Sequence, residues 1–274
     1  MHDPEMSYLS KILEKWRSYR FRFVPWIVLN LNKRVKESST RVVASQDIDS
    51  LIPPEKIEHA VKNFVQKLKK FDADGAASLS ERNKKIMLEH LGFVVDRKPS
   101  QILGGGIGVF VTLGTAKKGD IVALYPGTIY QPYEPIFFPS LNNPFVFRCL
   151  DGTHIDGKDC GLSRIIYKSV AGRDRMGSTE VADLTWLGQF PINPWSIGQY
   201  VNNSTRELPC NVAYQECELQ GDFPSSLLSL LPCALYNPGT RRRLVALVAT
   251  SDIATNTEVL SSYYTLVGEK SAET

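Results

Sequence analysis

Gly104-Gly105-Gly106-Ile107-Gly108-Val109-Phe110-Val111 is a turn almost without side chains that runs into a β-branched and aromatic strand. Bare backbone of this kind lets a ligand approach the main chain. A dinucleotide-binding loop would need a third glycine where Val109 or Val111 stands, and a helix after the turn. The surroundings read instead as short strands: Val109–Val111, Ile121–Tyr125, Thr128–Tyr130, Phe145–Cys149, Asn211–Tyr214 and Leu244–Ala249. They lack regular helices between them, which excludes a doubly wound nucleotide fold. Two later segments accompany the turn. One is Tyr200-Val201-Asn202-Asn203-Ser204 with Asn211 after it, and the other is Glu258-Val259-Leu260-Ser261-Ser262-Tyr263-Tyr264.

Upstream, residues 1 to about 95 read as helical. Leu9, Ile12, Leu13 and Trp16 share one helix face, and so do Ile57, Val61, Phe64, Val65 and Leu68. Ser78-Leu79-Ser80-Glu81 has capping-box spacing ahead of Ile86, Met87 and Leu91. Residues 157–197, rich in Gly, Ser, Asp and Arg, read as an irregular insertion carrying Trp186 and Trp195. The expected organisation is a helical region over 1–97, a strand-rich domain over 98–267 and a tail over 268–274.

Composition narrows the class. With 43% hydrophobic and 22% charged residues the chain is ordinary globular material. Its apolar runs are too short to span a bilayer, and no apolar stretch of signal-peptide type lies near the N-terminus. Five Cys without a CxxC pair point to reduced thiols inside the cell, in nucleus or cytoplasm with the mitochondrion left open, and against a zinc site. Residues 1–40 hold eight Lys/Arg and four acids, a local charge of +4. Such an arm could touch nucleic acid, but a solvated face explains it equally simply. Gly152-Thr153-His154-Ile155-Asp156-Gly157-Lys158-Asp159 has P-loop spacing yet lacks the hydroxyl after the Lys. His154, Asp156, Asp159 and Cys160 mix hard and soft ligands that suit no common metal, so this stretch reads as a hairpin.

The three segments, in this order, resemble the SET-domain family of protein lysine methyltransferases. Gly106-Ile107-Gly108-Val109-Phe110 is similar to the family's opening cofactor segment. Lys118-Gly119-Asp120 and Tyr125-Pro126-Gly127 match its next strand and turns. Asn202-Asn203-Ser204 stands where the family has Asn-His-Ser. Asp252-Ile253, Glu258-Val259 and Tyr263 match its closing elements. Arg22-Phe23-Val24-Pro25-Trp26 and Tyr133 to Phe138 extend the likeness, to one member, along nearly the whole chain. Asn203 replaces a His, Thr205 a Cys and Ser261 an aromatic residue. No Cys-rich tail follows Tyr264, so the family's zinc cluster is not expected and something else must close the lysine channel.

The resemblance implies an α+β, mainly β fold: a SET domain, a β-clip of short strands with a C-terminal pseudoknot, preceded by the helical region. It implies S-adenosyl-L-methionine as cofactor, no metal, and a protein or peptide substrate bearing lysine. Tyr263 and Tyr125 are then the catalytic pair, with Tyr263 at the transfer point and Tyr125 on the channel wall. Gly106, Ile107, Gly108, Asn202, Asn203, Tyr263 and Tyr264 are the cofactor-binding set. The alternative is a SET-fold protein-interaction module with weak or no catalysis.

Overall fold

The computed structural model describes residues 19–23, 41–43, 50–169, 175–234 and 242–267. The order of elements begins β1 (Tyr19–Phe21), β2 (Arg41–Val43), α1 (Pro54–Val65), α2 (Ala76–Leu91), β3 (Phe93–Pro99) and β4 (Ile107–Gly114). It continues with β5 (Ile121–Leu124), β6 (Gly127–Tyr130), the single turn α3 (Phe137–Ser140), β7 (Val146–Arg148), β8 (His154–Asp156) and α4 (Gly161–Ser169). Then come β9 (Arg175–Met176), β10 (Thr179–Glu180), β11 (Asn202–Asn203), β12 (Val212–Leu219), the turn α5 (Ser225–Leu228) and β13 (Cys233–Ala234). The series closes with β14 (Arg242–Ala249), β15 (Glu258–Ser261) and β16 (Tyr264–Val267). Strand predominates over helix in mixed sheets, the α+β, mainly β class expected. Among the described residues no helix is long and apolar enough to cross a membrane.

The main sheet runs β3-β4-β15-β12-β14-β5, with β11 added parallel to β15. Its strands β5 and β14 are apolar on both faces over Ile121–Leu124 and Leu244–Ala249, where every residue is buried. A second sheet, β13-β6-β8-β7, lies beside it, and β8 forms a hairpin with β7 through residues Val146–Asp156. The decoy P-loop is thus a strand: the carboxylate of buried Asp156 accepts a hydrogen bond from Asn143 Nδ2 at 2.8 Å. Asp159 receives the Tyr200 hydroxyl instead, and Cys160 is exposed, so the four residues do not form one metal cluster.

Three expectations need correction. First, 19–23 and 41–43 are not helical: β1 and β2 flank β16, antiparallel and parallel respectively. Pro25 and the Phe/Val/Tyr content of the stretch favour extended backbone. The stripe Leu9–Trp16 lies outside the described residues. Second, α2 starts at Ala76, and the Ser78 hydroxyl donates to Asp72 rather than capping the helix. Third, 157–197 is not irregular throughout. α4 places Leu162, Ile165 and Ile166 at helical spacing, and Trp186 and Trp195 are both buried. Their indole area outweighs the local Gly and Ser content.

Helices α1 and α2 are part of the same packed body as the strands. Ile57, Val61, Phe64, Val65 and Met87 join Val109, Tyr125, Trp195 and Leu247 in one core cluster. Phe64 is fully buried with its ring 4.3 Å from that of Trp195. Gly92 ends α2 with φ 80°, its N–H bonded to Leu88 O, and turns the chain directly into β3. Phe64→Ala should therefore cost about 3–5 kcal/mol, read as a shifted urea midpoint of the whole transition rather than a separate melting of the helices. Burial raises the Asp183 carboxyl to about 6, although Thr185 donates to it from N and Oγ1. A raised pKa means the folded state holds a proton that the unfolded chain has released, so this group lowers stability as pH rises from about 4 to about 6. Asp183→Asn is expected to raise stability at pH 7 by about 2–3 kcal/mol and to change little at pH 4, measured by urea unfolding at both pH values.

Candidate functional site

The glycine run is the loop of the β3–β4 hairpin. Ser100 N donates to Gly106 O at 2.8 Å, and Gly105 N to Ile102 O at 2.8 Å. Gly104 and Gly106 have φ of 76° and 63°, which side chains resist. Beyond that shared geometry the glycines differ. A Cβ on Gly106 would meet nothing within 4 Å, whereas one on Gly108 would sit 2.3 Å from Glu258 Oε1. Gly108 is bare for a carboxylate of the protein itself; Gly106 is bare toward open space.

Glu258 is the hub of this region and is buried. Its carboxylate accepts from Ser100 Oγ at 2.7 Å, Gln101 N at 2.8 Å and Asn202 Nδ2 at 3.2 Å. Asn202 Nδ2 also donates to Ile107 O at 3.2 Å. The Asn202 amide nitrogen therefore ties the hairpin loop to β11 and β15. Asn203 accepts Tyr263 N on its Oδ1 at 3.0 Å, fixing the start of the segment that carries the aromatic ring. Asn211 clamps the other edge of β15, donating to Glu258 O at 2.8 Å and accepting from Leu260 N at 2.9 Å.

These segments enclose a cavity of about 530 Å3. Gly104–Ile107 form one side, Asn202–Thr205 another, and the rings of Phe23 and Tyr263 the end. Among the described residues its lining holds no Lys, Arg, Asp or Glu. The Tyr263 hydroxyl donates to Val201 O at 3.1 Å. Gln199, buried beside the cavity, has neither amide atom paired. Tyr200 also lines it; burial and the hydrogen bond to Asp159 push its hydroxyl up to about 12.

Of the sequence-predicted residues, Gly106, Ile107, Asn202, Asn203 and Tyr263 meet at this cavity. Gly108 stands behind the loop. Tyr125 is fully buried and donates to Phe145 O at 2.7 Å, so its ring is not on the cavity surface. Tyr264 opens β16 opposite Phe21, and its side chain lies outside the described part. Sequence reasoning missed Phe23, Phe147 and Tyr214, which with Tyr125 and Tyr263 make one aromatic cluster. Ser261, where an aromatic residue was expected from the family, is fully buried and donates to the Tyr214 hydroxyl at 3.0 Å. Burial holds both Tyr125 and Tyr214 well above the ordinary phenol range.

Arg22, counted in the basic arm, is not available to a nucleic acid. It is 2% exposed and pairs with Glu216 at 2.5 Å. Glu216 also receives Arg243 at 2.5 Å and Leu150 N at 3.0 Å. Cys149, Asp151 and Glu216 lie close enough to hold a cation, and the two guanidinium groups already supply positive charge there.

No family model matches the chain. Among curated proteins it is 38% identical to SET domain-containing protein 9 of Homo sapiens, over 94% of this chain and 98% of that one. It is 42% identical to the Pongo abelii protein of the same name, over 77% of this chain and 81% of that one. The chain belongs to the SET domain-containing protein 9 family. Among solved structures it is similar to ctPRC2 in an autoinhibited conformation bound to S-adenosylmethionine, at 12% identity and TM-score 0.38, over 82% of this chain and 23% of that one. It is also similar to CpSET8 from Cryptosporidium, at 15% identity and TM-score 0.34, over 87% and 91%.

Gly108→Ala should cost about 1–3 kcal/mol by forcing Glu258 out of its bonds. A urea titration reads that loss, and Gly106→Ala, strained at φ but unobstructed, should cost less.

Proposed function

We propose that the chain is an S-adenosylmethionine-dependent methyltransferase acting on a lysine side chain of a protein substrate. The observation that carries this reading is the convergence of the bare loop, the Asn pair and Tyr263 on one cavity, lined by uncharged side chains among the described residues. Family membership supports it. The residues present fit the cofactor in three respects. The volume of about 530 Å3 lies in the range of small-molecule sites. Backbone groups at Gly104–Ile107 and the Asn203 backbone can satisfy an amino acid zwitterion, which needs hydrogen bonds more than net charge. The rings of Tyr263 and Phe23 tolerate a sulfonium cation. A phosphate-rich cofactor would meet no cation among the described residues of the lining.

The cofactor supplies an electrophilic methyl group, and the protein's task is alignment of the acceptor amine with it. A free lysine amine has a pKa near about 10.4 and must lose its proton first. Apolar surroundings favour the neutral amine by desolvation. Tyr263 is held by Asn203 at its N–H and by Val201 O at its hydroxyl, so its oxygen has a fixed place at the cavity end. There it can make weak C–H···O contacts that orient the methyl group. Gly106–Gly108 and Asn202 keep the loop beside it, with Asn202 bridging Ile107 O to Glu258. Tyr125 supports the aromatic cluster from behind. The peptide carrying the lysine would add as a strand at a sheet edge.

Five free cysteines fit an intracellular protein. Calorimetry with S-adenosylmethionine should show binding by the folded protein, and radiolabel should pass from it into cell-extract protein. Tyr263→Phe should reduce transfer on the order of 10²-fold while leaving binding in place. Binding without transfer to any protein pool would instead favour the interaction-module reading, and absence of binding would remove the cofactor from the proposal.

A further inference from the structure

Phe23 comes from outside the strand-rich domain and is 3% exposed. Its ring centroid is 4.4 Å from that of Tyr263, 5.4 Å from Phe147, 5.7 Å from Tyr214 and 5.9 Å from Tyr125. It also lines the cavity, at the end where Tyr263 stands. The backbone holds it there on both sides. Arg22 N donates to Tyr263 O at 3.2 Å, Arg148 N donates to Arg22 O at 2.7 Å, and Phe23 bridges to Phe147. The Arg22 side chain adds a buried ion pair with Glu216 and lies over the Phe147 ring at 5.5 Å. Residues 22–23 are thus a fixed rung inserted between β7 and the segment that delivers Tyr263.

We propose that Phe23, carried in by this N-terminal rung, is a substrate-contacting part of the acceptor-channel wall, continuous with the Tyr263 ring beside it. The inference rests on the methyltransferase reading and deepens it. An apolar stem ending in an amine, lying against two rings whose faces accept a cation, is the ligand such a wall suits. Arg22 acts as a positioning residue, because its ion pair and its two backbone bonds set where the Phe23 ring can lie.

The acceptor arm can be tested without a known substrate. The probe is n-butylammonium chloride, a lysine stem without peptide, followed by saturation-transfer NMR on the full chain saturated with S-adenosylhomocysteine. Wild-type protein should give signal on the probe's methylene protons. Phe23→Ala should weaken it by about fivefold, and Phe23→Tyr, which keeps a ring face, should restore it. Phe23→Leu conserves apolar bulk without a ring. It should preserve the melting temperature while leaving the probe signal reduced, which separates contact with the amine from packing. The proposal is overturned if wild type gives no probe signal, or if folded Phe23→Ala or Phe23→Leu protein binds the probe as wild type does. Calorimetry with S-adenosylmethionine on wild type is the separate arm: its failure would defeat the underlying reading, whereas normal binding with unchanged probe signals would defeat this inference alone.

Discussion

The buried carboxylate of Glu258 joins parts of the chain that have no other reason to meet. It receives the loop entrance through Ser100 and Gln101, and β11 through Asn202. Because Glu258 is itself buried, removing one of these partners would leave a buried oxygen unpaired, which is costly. Its space is made by the absence of a side chain at Gly108. A single acid thus explains a glycine, an asparagine and the course of the hairpin loop. The cavity is a by-product of this tie: the loop cannot fall back onto the sheet, because its base is pinned to β15.

Around the same point the aromatic cluster supplies rigidity. Phe23, Tyr125, Phe147, Tyr214 and Tyr263 meet at tilted and edge-on angles, the arrangement that ring quadrupoles favour. Ser261 matters here through its size. A ring at that position would compete with Tyr214, whose hydroxyl instead takes the Ser261 hydrogen bond. Where the resemblance implied a ring, Ser261 stands against an aromatic residue of β12.

Much of this was legible in the chain because its signals are short. Glycine spacing, the Asn pair and the final Tyr each occupy a few consecutive positions, and their order alone indicated the fold. The strands over 109–111, 121–124 and 244–249 followed from β-branched runs. What could not be read was pairing between distant positions. Nothing near Arg22 in sequence announces Glu216, and nothing near Phe23 announces Tyr263. Local composition also misled: Gly and Ser hid α4, although Leu162, Ile165 and Ile166 carried its period. The surroundings of Gly108 were hidden for a related reason, since only the fold shows which glycine faces open space and which faces a carboxylate.

The rung at residues 22–23 has a consequence for how the molecule is built. Its partners, Arg148, Glu216 and Tyr263, are spread over most of the following sequence. The two rings at the cavity end, Phe23 and Tyr263, close a loop of 240 positions. Contacts of that separation reward the chain only after their closure entropy has been met, so they form late and slow the search. During synthesis the early segment must wait, with an apolar ring exposed, until the last strands arrive. Because Phe23 and Tyr263 both line the cavity, its wall cannot be complete on a chain still being made until residue 263 has emerged.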